Sequence, residues 1–430
     1  MRTLMTVLAL SAAAITIQPA FAQETEVQVP ETVFQQRSED VISVLRGEMP
    51  AADVFAAGFL AAVPAEQLTA LMTQMEAQFG PLAGLEEAKE QSGTSGIIAL
   101  RFEKALVRGP LTLDSTPDNK VIGLLLNDIQ PLNDSVAAIT ADIEALPGDV
   151  SVLYAPLEGG SNPILSVDPD RQMAIGSTFK LYILAALARQ VAAGERGWAD
   201  VITLDRKSLP SGQMQNWPEG SPVTLHTLAT MMISISDNTA TDILLHTVGR
   251  DAVEAELVQS GHSDPARALP FLSTLEMFGL KGSPENLAKY VGAGEEAKRR
   301  ILADFEDDVA GRSDRISPPR FTEPTAIDTV EWFASGEDLR KLMQRIADLP
   351  DPTARKIISV NQAMPKTRRE EWQYVGYKGG SEPGVLNLTW LLQDDADQWY
   401  ILAMSWNNPA AEVTATDFEM LAQRILPLRR

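Results

Sequence analysis

Gly176-Ser177-Thr178-Phe179-Lys180-Leu181-Tyr182-Ile183-Leu184-Ala185-Ala186-Leu187 opens a segment that stays apolar to Val191 and ends near Gly194. A helix that is apolar on all sides belongs in a core. Ser177 and Lys180 at its start therefore stand out. Ser177 and Lys180 are three apart, which puts them on one helix face, one turn from each other. In a first turn the backbone N–H groups are unpaired and the dipole favours negative charge. A serine hydroxyl is a weak nucleophile until a base takes its proton. A lysine that is buried beside a second cation is neutral often enough to be that base. Taken alone, the pair reads better as a helix cap and a solvated lysine.

Two further elements lie outward from this stretch. Ser236-Asp237-Asn238 separates the apolar run Met231-Met232-Ile233 from Thr239-Ala240-Thr241-Asp242-Ile243-Leu244-Leu245. That placement suits a cap between helices, or a hydroxyl that relays a proton beside an amide that orients a carbonyl. Lys378-Gly379-Gly380-Ser381 follows the period-two text Trp372 to Tyr377, which predicts a strand end whose backbone is open to a ligand. Lys366-Thr367-Arg368 is a similar triplet, but it lies in charged text read as a loop.

The same outward reading organises the chain. A helix is predicted over 135–146, then a hairpin-like strand pair, Val150 to Tyr154 and Pro163 to Val167, around Glu158-Gly159-Gly160. A mostly helical block runs to about Ala347, with a capping-box start at Ser335-Gly336-Glu337-Asp338. Strands over 372–377, 385–392 and 399–406 precede a last helix from Ala415 to Leu426. Strands at both ends of a helical block imply that the ends meet in one sheet. Before all this, 31–77 reads as helical, with strands around 96–103, 111–113 and 121–126 and a turn at Thr116-Pro117-Asp118-Asn119. This gives a small α+β domain over 27–128, with no catalytic constellation, ahead of a larger one over 132–430.

Composition narrows the chemistry. Lys+Arg is 36 against Asp+Glu 58, a net charge of −22, which repels phosphate backbones and argues against nucleic-acid binding. There is no cysteine, so disulfides, thiol nucleophiles and thiolate metal sites are excluded. His226, His246 and His262 form no metal-binding motif. No metal and no cofactor are expected. Arg2, the apolar run Leu4 to Ile17 and Ala20-Phe21-Ala22 predict a cleaved export signal over 1–22. The expected location is periplasmic or secreted, with no stable membrane span after cleavage.

Together the three elements resemble the S-x-x-K, S-D-N and K-T-G set of class A β-lactamases and penicillin-binding proteins. The order and the helix, inter-helix and late-strand settings agree, and the likeness extends over 148–430. The resemblance implies an antiparallel sheet sandwiched with a helical domain. It also implies roles. Ser177 would form an acyl-enzyme, Lys180 would be its base, and Ser236 would pass a proton to the leaving atom. Asn238 would hold the substrate amide. Lys378 would attract a carboxylate and depress Lys180. Ser177 and Ser381 backbone N–H groups would form an oxyanion hole, with Gly380 and Ser381 contacting substrate.

The sequence departs from that pattern in two places. Gly379 stands where the family has Thr or Ser, and no E-x-x-L-N stretch follows Asn238. Glu276 and Glu285 lie in that region without fitting it. The layout resembles a narrower group, that of the serine hydrolase of the clavulanic acid gene cluster and similar two-domain actinobacterial lipoproteins. In that group a small NTF2/ketosteroid-isomerase-like domain comes first, and the expected substrates are a small-molecule β-lactam or ester. A D-alanyl-D-alanine peptidase-like enzyme and a non-catalytic penicillin-binding or regulatory protein are the alternatives.

Overall fold

The computed structural model describes residues 32–132, 134–208, 210–309 and 322–429. The export-signal reading, including Arg2 and Ala20 to Ala22, lies outside them. The N-terminal helices are α1 (Val33–Leu45), α2 (Ala51–Val54), α3 (Ala57–Ala62) and α4 (Ala65–Phe79). Thr32 and Gln35 close α1 with a capping box. Strands β1 (Leu82–Ser92), β2 (Ser95–Phe102), β3 (Ala105–Leu113) and β4 (Val121–Leu124) pair in order, and β5 (Asp128–Pro131) pairs with β3. Phe34, Ile42, Met72, Met75 and Phe79 of the helices pack on Ile98, Leu100, Phe102 and Val107. Strand β1 was not expected from the sequence. Its Glu86-Glu87-Ala88-Lys89-Glu90 text favours a helix, but pairing with β2 overrides that preference.

The C-terminal part begins with α5 (Val136–Glu144), β6 (Asp149–Pro156), β7 (Leu165–Val167) and β8 (Met173–Ala174). A 3-10 turn at Gly176–Phe179 leads into α6 (Lys180–Ala192). Next come the hairpin strands β9 (Val201–Thr203) and β10 (Pro222–Thr224). They are followed by α7 (Leu225–Ser234), α8 (Asn238–Val248), α9 (Arg250–Gln259), α10 (Thr274–Lys281), α11 (Pro284–Val291) and α12 (Glu295–Val309). The chain continues with β11 (Phe333–Ala334), α13 (Gly336–Ala347), α14 (Thr353–Ile358) and α15 (Lys366–Arg369). It ends with β12 (Tyr374–Glu382), β13 (Val385–Gln393), β14 (Trp399–Asn407) and α16 (Ala415–Ile425). Lys366-Thr367-Arg368 is thus helical rather than a loop.

The two ends of the helical block do share one antiparallel sheet, in the order β12-β13-β14-β6-β7. Ala403 of β14 lies opposite Leu153 of β6. Both faces of this sheet are covered. Trp390, Leu402, Phe418 and Leu421 lie on the α5 and α16 side, while Leu391, Ile401 and Ala403 join α6 and α13 on the other. The alternation along β13 matters most: Asn387 and Thr389 are buried on Leu391's face, next to the Ser177 turn. Ser335 and Asp338 form the expected capping box of α13.

Candidate active site

Folding brings Ser177, Lys180, Ser236, Asn238 and Lys378 to one place, with Gly380 and Ser381 beside them. Ser177 lies in the 3-10 turn, not in the α-helix itself. Gly176 there has φ +47°, the left-handed region that glycine tolerates. The turn is fixed from behind. Thr178 donates to Asn387 Oδ1 at 2.7 Å, and Asn387 in turn donates to Ser405 Oγ at 2.8 Å. Phe179 stacks on Trp332 with centroids 3.6 Å apart, and Ile175 N donates to Trp332 O at 3.0 Å.

Lys180 is fully buried. Its Nζ lies 2.7 Å from Ser236 O, 2.9 Å from Ser236 Oγ and 2.8 Å from Asn238 Oδ1. Lys378 Nζ reaches the same Ser236 Oγ at 3.1 Å. One hydroxyl therefore lies between two lysines. Burial, and then the charge of Lys378, holds Lys180 well below the ordinary lysine range. Burial also brings Lys378 down to about 7. With Lys180 neutral, Nζ keeps two protons for the two fixed acceptors, and the Ser236 hydroxyl can donate to its lone pair.

The Ser236 loop is strained and tightly held. Ser236 has φ +58°, uncommon for a residue with a side chain and typical of functional sites. Asp237 is fully buried. It caps α8 through Ala240 N at 2.9 Å, and it accepts from Gln213 N at 2.6 Å and Met214 N at 2.9 Å.

The strand segment Lys378 to Ser381 lies inside β12, paired with β13 throughout, and does not follow the strand. Its glycines are not open to a ligand in the way expected. A Cβ on Gly380 would sit 2.4 Å from Ser177 N and 2.2 Å from Ile175 O, so the protein's own turn occupies that space. A Cβ on Gly379 would meet the Tyr377 hydroxyl at 2.1 Å. That contact leaves little room there for the usual Thr or Ser.

A cavity of about 520 Å³ opens over Ser177, lined also by Ser236, Asn238, Lys378, Gly380 and Ser381. Three acids in its wall escaped the sequence reading: Glu331, Glu382 and Glu419. Glu331 and Glu382 share the buried Lys281 ammonium. No motif marks them, because they come from segments far apart in sequence. Glu276 instead makes a two-point pair with Arg250, at 2.6 and 3.0 Å. Glu285 pairs with Lys289 at an exposed position. Among the described residues no cluster could hold a metal ion, and no helix is long and apolar enough to cross a membrane.

A serine-bearing turn backed by a buried lysine and pressed against an edge strand is the arrangement of the penicillin-recognising serine hydrolases. Residues 132–358 match the family model described as the Beta-lactamase enzyme family. That is more than half of the chain, and the protein belongs to this family. Among solved structures, a β-lactamase from Sphaerobacter thermophilus is 23% identical, with a TM-score of 0.47 over 68% of this chain and 94% of that one. PBP-A is 17% identical, with a TM-score of 0.46 over 68% and 93%. A β-lactamase from Chitinophaga pinensis is 18% identical, with a TM-score of 0.46 over 68% and 96%. A search of curated proteins found no match.

Proposed function

We propose that the protein is an exported serine hydrolase that forms an acyl-enzyme at Ser177 and acts on β-lactams or small esters. The observation that carries this reading is the shared hydroxyl of Ser236, bonded by both Lys180 and Lys378 in the cavity that Ser177 lines. Neutral Lys180 takes the Ser177 proton, directly or through Ser236. Ser236 delivers a proton to the leaving nitrogen or oxygen, and Asn238 holds the substrate amide. Backbone N–H groups of Ser177 and Ser381 stabilise the developing oxyanion, worth about 3 kcal/mol per donor. Lys378 attracts a substrate carboxylate.

The segment 27–128 is proposed as a non-catalytic domain of NTF2-like type. Its apolar cluster of α1 and α4 against β2 and β3 supports that reading. The signal-like text of 1–22 supports a periplasmic or secreted location.

Intact mass spectrometry after incubation with penicillin tests the central claim. One acyl adduct is expected on the wild type and none on Ser177→Ala, with unchanged circular dichroism. An adduct on the variant overturns the assignment. Turnover of p-nitrophenyl acetate and nitrocefin, set against release of D-alanine from a D-Ala-D-Ala peptide, separates the hydrolase from the peptidase reading.

A further inference from the structure

Strand β12 acts as a ruler across the cavity. Side chains at alternate positions share one face of a strand, so Lys378, Gly380 and Glu382 face the same way. The register with β13 is unbroken over all three. Gly380 presses on Ser177 N. Lys378, about 7 Å to one side, bonds Ser236. Glu382 lies a similar distance to the other side. The proton relay to the leaving group and the Glu382 carboxyl therefore flank the nucleophile from opposite directions.

The second flank is a built site. Lys281, at the end of α10, has a fully buried side chain. It donates to Glu331 Oε1 at 2.9 Å and to Glu382 Oε1. Glu331 Oε2 accepts from Trp332 N at 3.1 Å, so both its oxygens are engaged. Trp332 in turn backs the nucleophile turn. Glu382 differs. Its side chain is 8% exposed, it lines the Ser177 cavity, and no donor among the described residues reaches its buried Oε2, although the carboxyl shares a hydrogen bond with Glu331 while it carries its proton. Once that proton is lost, a buried carboxylate oxygen with no donor leaves its desolvation uncompensated, and a water in the cavity would satisfy it.

We infer that Glu382, held by Lys281 and Glu331, is the base that activates water to hydrolyse the Ser177 acyl-enzyme. This rests on the acyl-enzyme reading above. In the step, a water proton passes to the Glu382 carboxylate and the water oxygen bonds the acyl carbon. The tetrahedral intermediate collapses, the bond from the acyl carbon to Ser177 Oγ breaks, and the proton held by Glu382 returns to Oγ. The free acid leaves, and both residues end in their starting state. Burial, and next the Glu331 charge, raises Glu382 to about 9, against the pull of Lys281. The groups facing it are Lys281 on α10 and Glu331 ahead of β11; Lys378 is on the far flank and Glu419 on α16. Held above the ordinary carboxylate range, Glu382 serves as the base only in its ionised fraction, which grows as pH rises.

The test is single-turnover hydrolysis of the acyl-enzyme formed from a penicillin or a p-nitrophenyl ester, followed by intact mass. In Glu382→Gln the adduct should form at the wild-type rate and clear 10²-fold or more slowly, the usual range for a lost general base. Wild-type clearance should rise about tenfold per pH unit from pH 6 to 8, while that of Glu382→Gln stays flat. Glu382→Asp keeps the Lys281 partner but withdraws the carboxylate by one methylene. It should clear at least tenfold more slowly, which serves if the Gln variant does not fold. Clearance within threefold of wild type in either folded variant overturns this inference alone. Absence of any adduct on the wild type overturns the Ser177 reading and this one with it.

Discussion

At the scale of single residues, the informative group is Lys378. An ordinary lysine is charged throughout the physiological range, but burial brings this one to about 7. Its charged fraction therefore falls as pH rises through 7. A substrate that carries a carboxylate should lose its anchor there, while a neutral ester should not. The ratio of kcat/KM for penicillin to kcat/KM for p-nitrophenyl acetate is the right measurement, because the shared dependence on neutral Lys180 cancels. That ratio should fall about tenfold per unit above pH 7. Lys378→Arg, charged at every relevant pH, should hold it flat. A flat ratio in the wild type would mean that Lys378 does not bind the carboxylate. Chemistry of this kind was legible in the sequence, since Ser177, Lys180, Ser236 and Lys378 each sit in a short motif. The partners Glu331 and Glu382 were not, because a carboxylate's role depends on what surrounds it once the chain has folded.

At the scale of elements, β12 and the α7–α8 junction hold the site. Gly379 has no room for a side chain because the Tyr377 hydroxyl lies where its Cβ would go. Gly379→Ser alone should therefore cost about 1–3 kcal/mol, as overpacking does. Tyr377→Phe in the same protein removes the 2.1 Å contact but leaves the ring Cζ at 2.9 Å, so it should recover part of that loss. Thermal melts of the two singles and the double close the cycle, and strict additivity would reject the contact as the cause. Asp237 accepts from three backbone N–H groups across two segments. Asp237→Ala removes a helix cap worth about 1 kcal/mol and orphans two further donors at about 1–3 kcal/mol each. A loss of roughly 3 kcal/mol or more in urea unfolding is expected, with acylation slowed because Ser236 is no longer held. The sequence placed these elements well where patterning was strong. It left β1 unassigned, because that strand's helix-favouring side chains are largely exposed and no burial pattern announced a strand.

At the scale of the whole molecule, the N-terminal and C-terminal parts are joined by buried polar contacts. Arg368 is almost fully buried. It donates to Ile129 O at 2.6 Å and lies 3.6 Å from the Asp128 carboxylate. Met420 of α16 packs within the N-terminal apolar cluster. Breaking a buried pair from one side leaves a charge uncompensated, at about 3–5 kcal/mol. Arg368→Met should lower global stability by roughly that amount. The penicillin burst amplitude should stay at one per enzyme, because Arg368 does not line the Ser177 cavity. Loss of the burst in a folded variant would show that the first part of the chain helps to complete the site.

The sequence by itself determined the family, and it marked Ser177, Lys180, Ser236 and Lys378 as candidates, because acyl transfer needs a few residue types at fixed short spacings. It also determined the sheet's closure, through apolar period-two runs at both ends of a helical block. Only the tertiary structure decided what supports that chemistry. The close approach that requires Gly380, the hydroxyl that excludes a side chain at Gly379, and the meeting of Lys281, Glu331 and Glu382 all join positions distant in the chain. Spacing within a sequence sets what one helix turn or one strand face can hold. Contacts between elements are set by packing, and packing leaves no local signature to read.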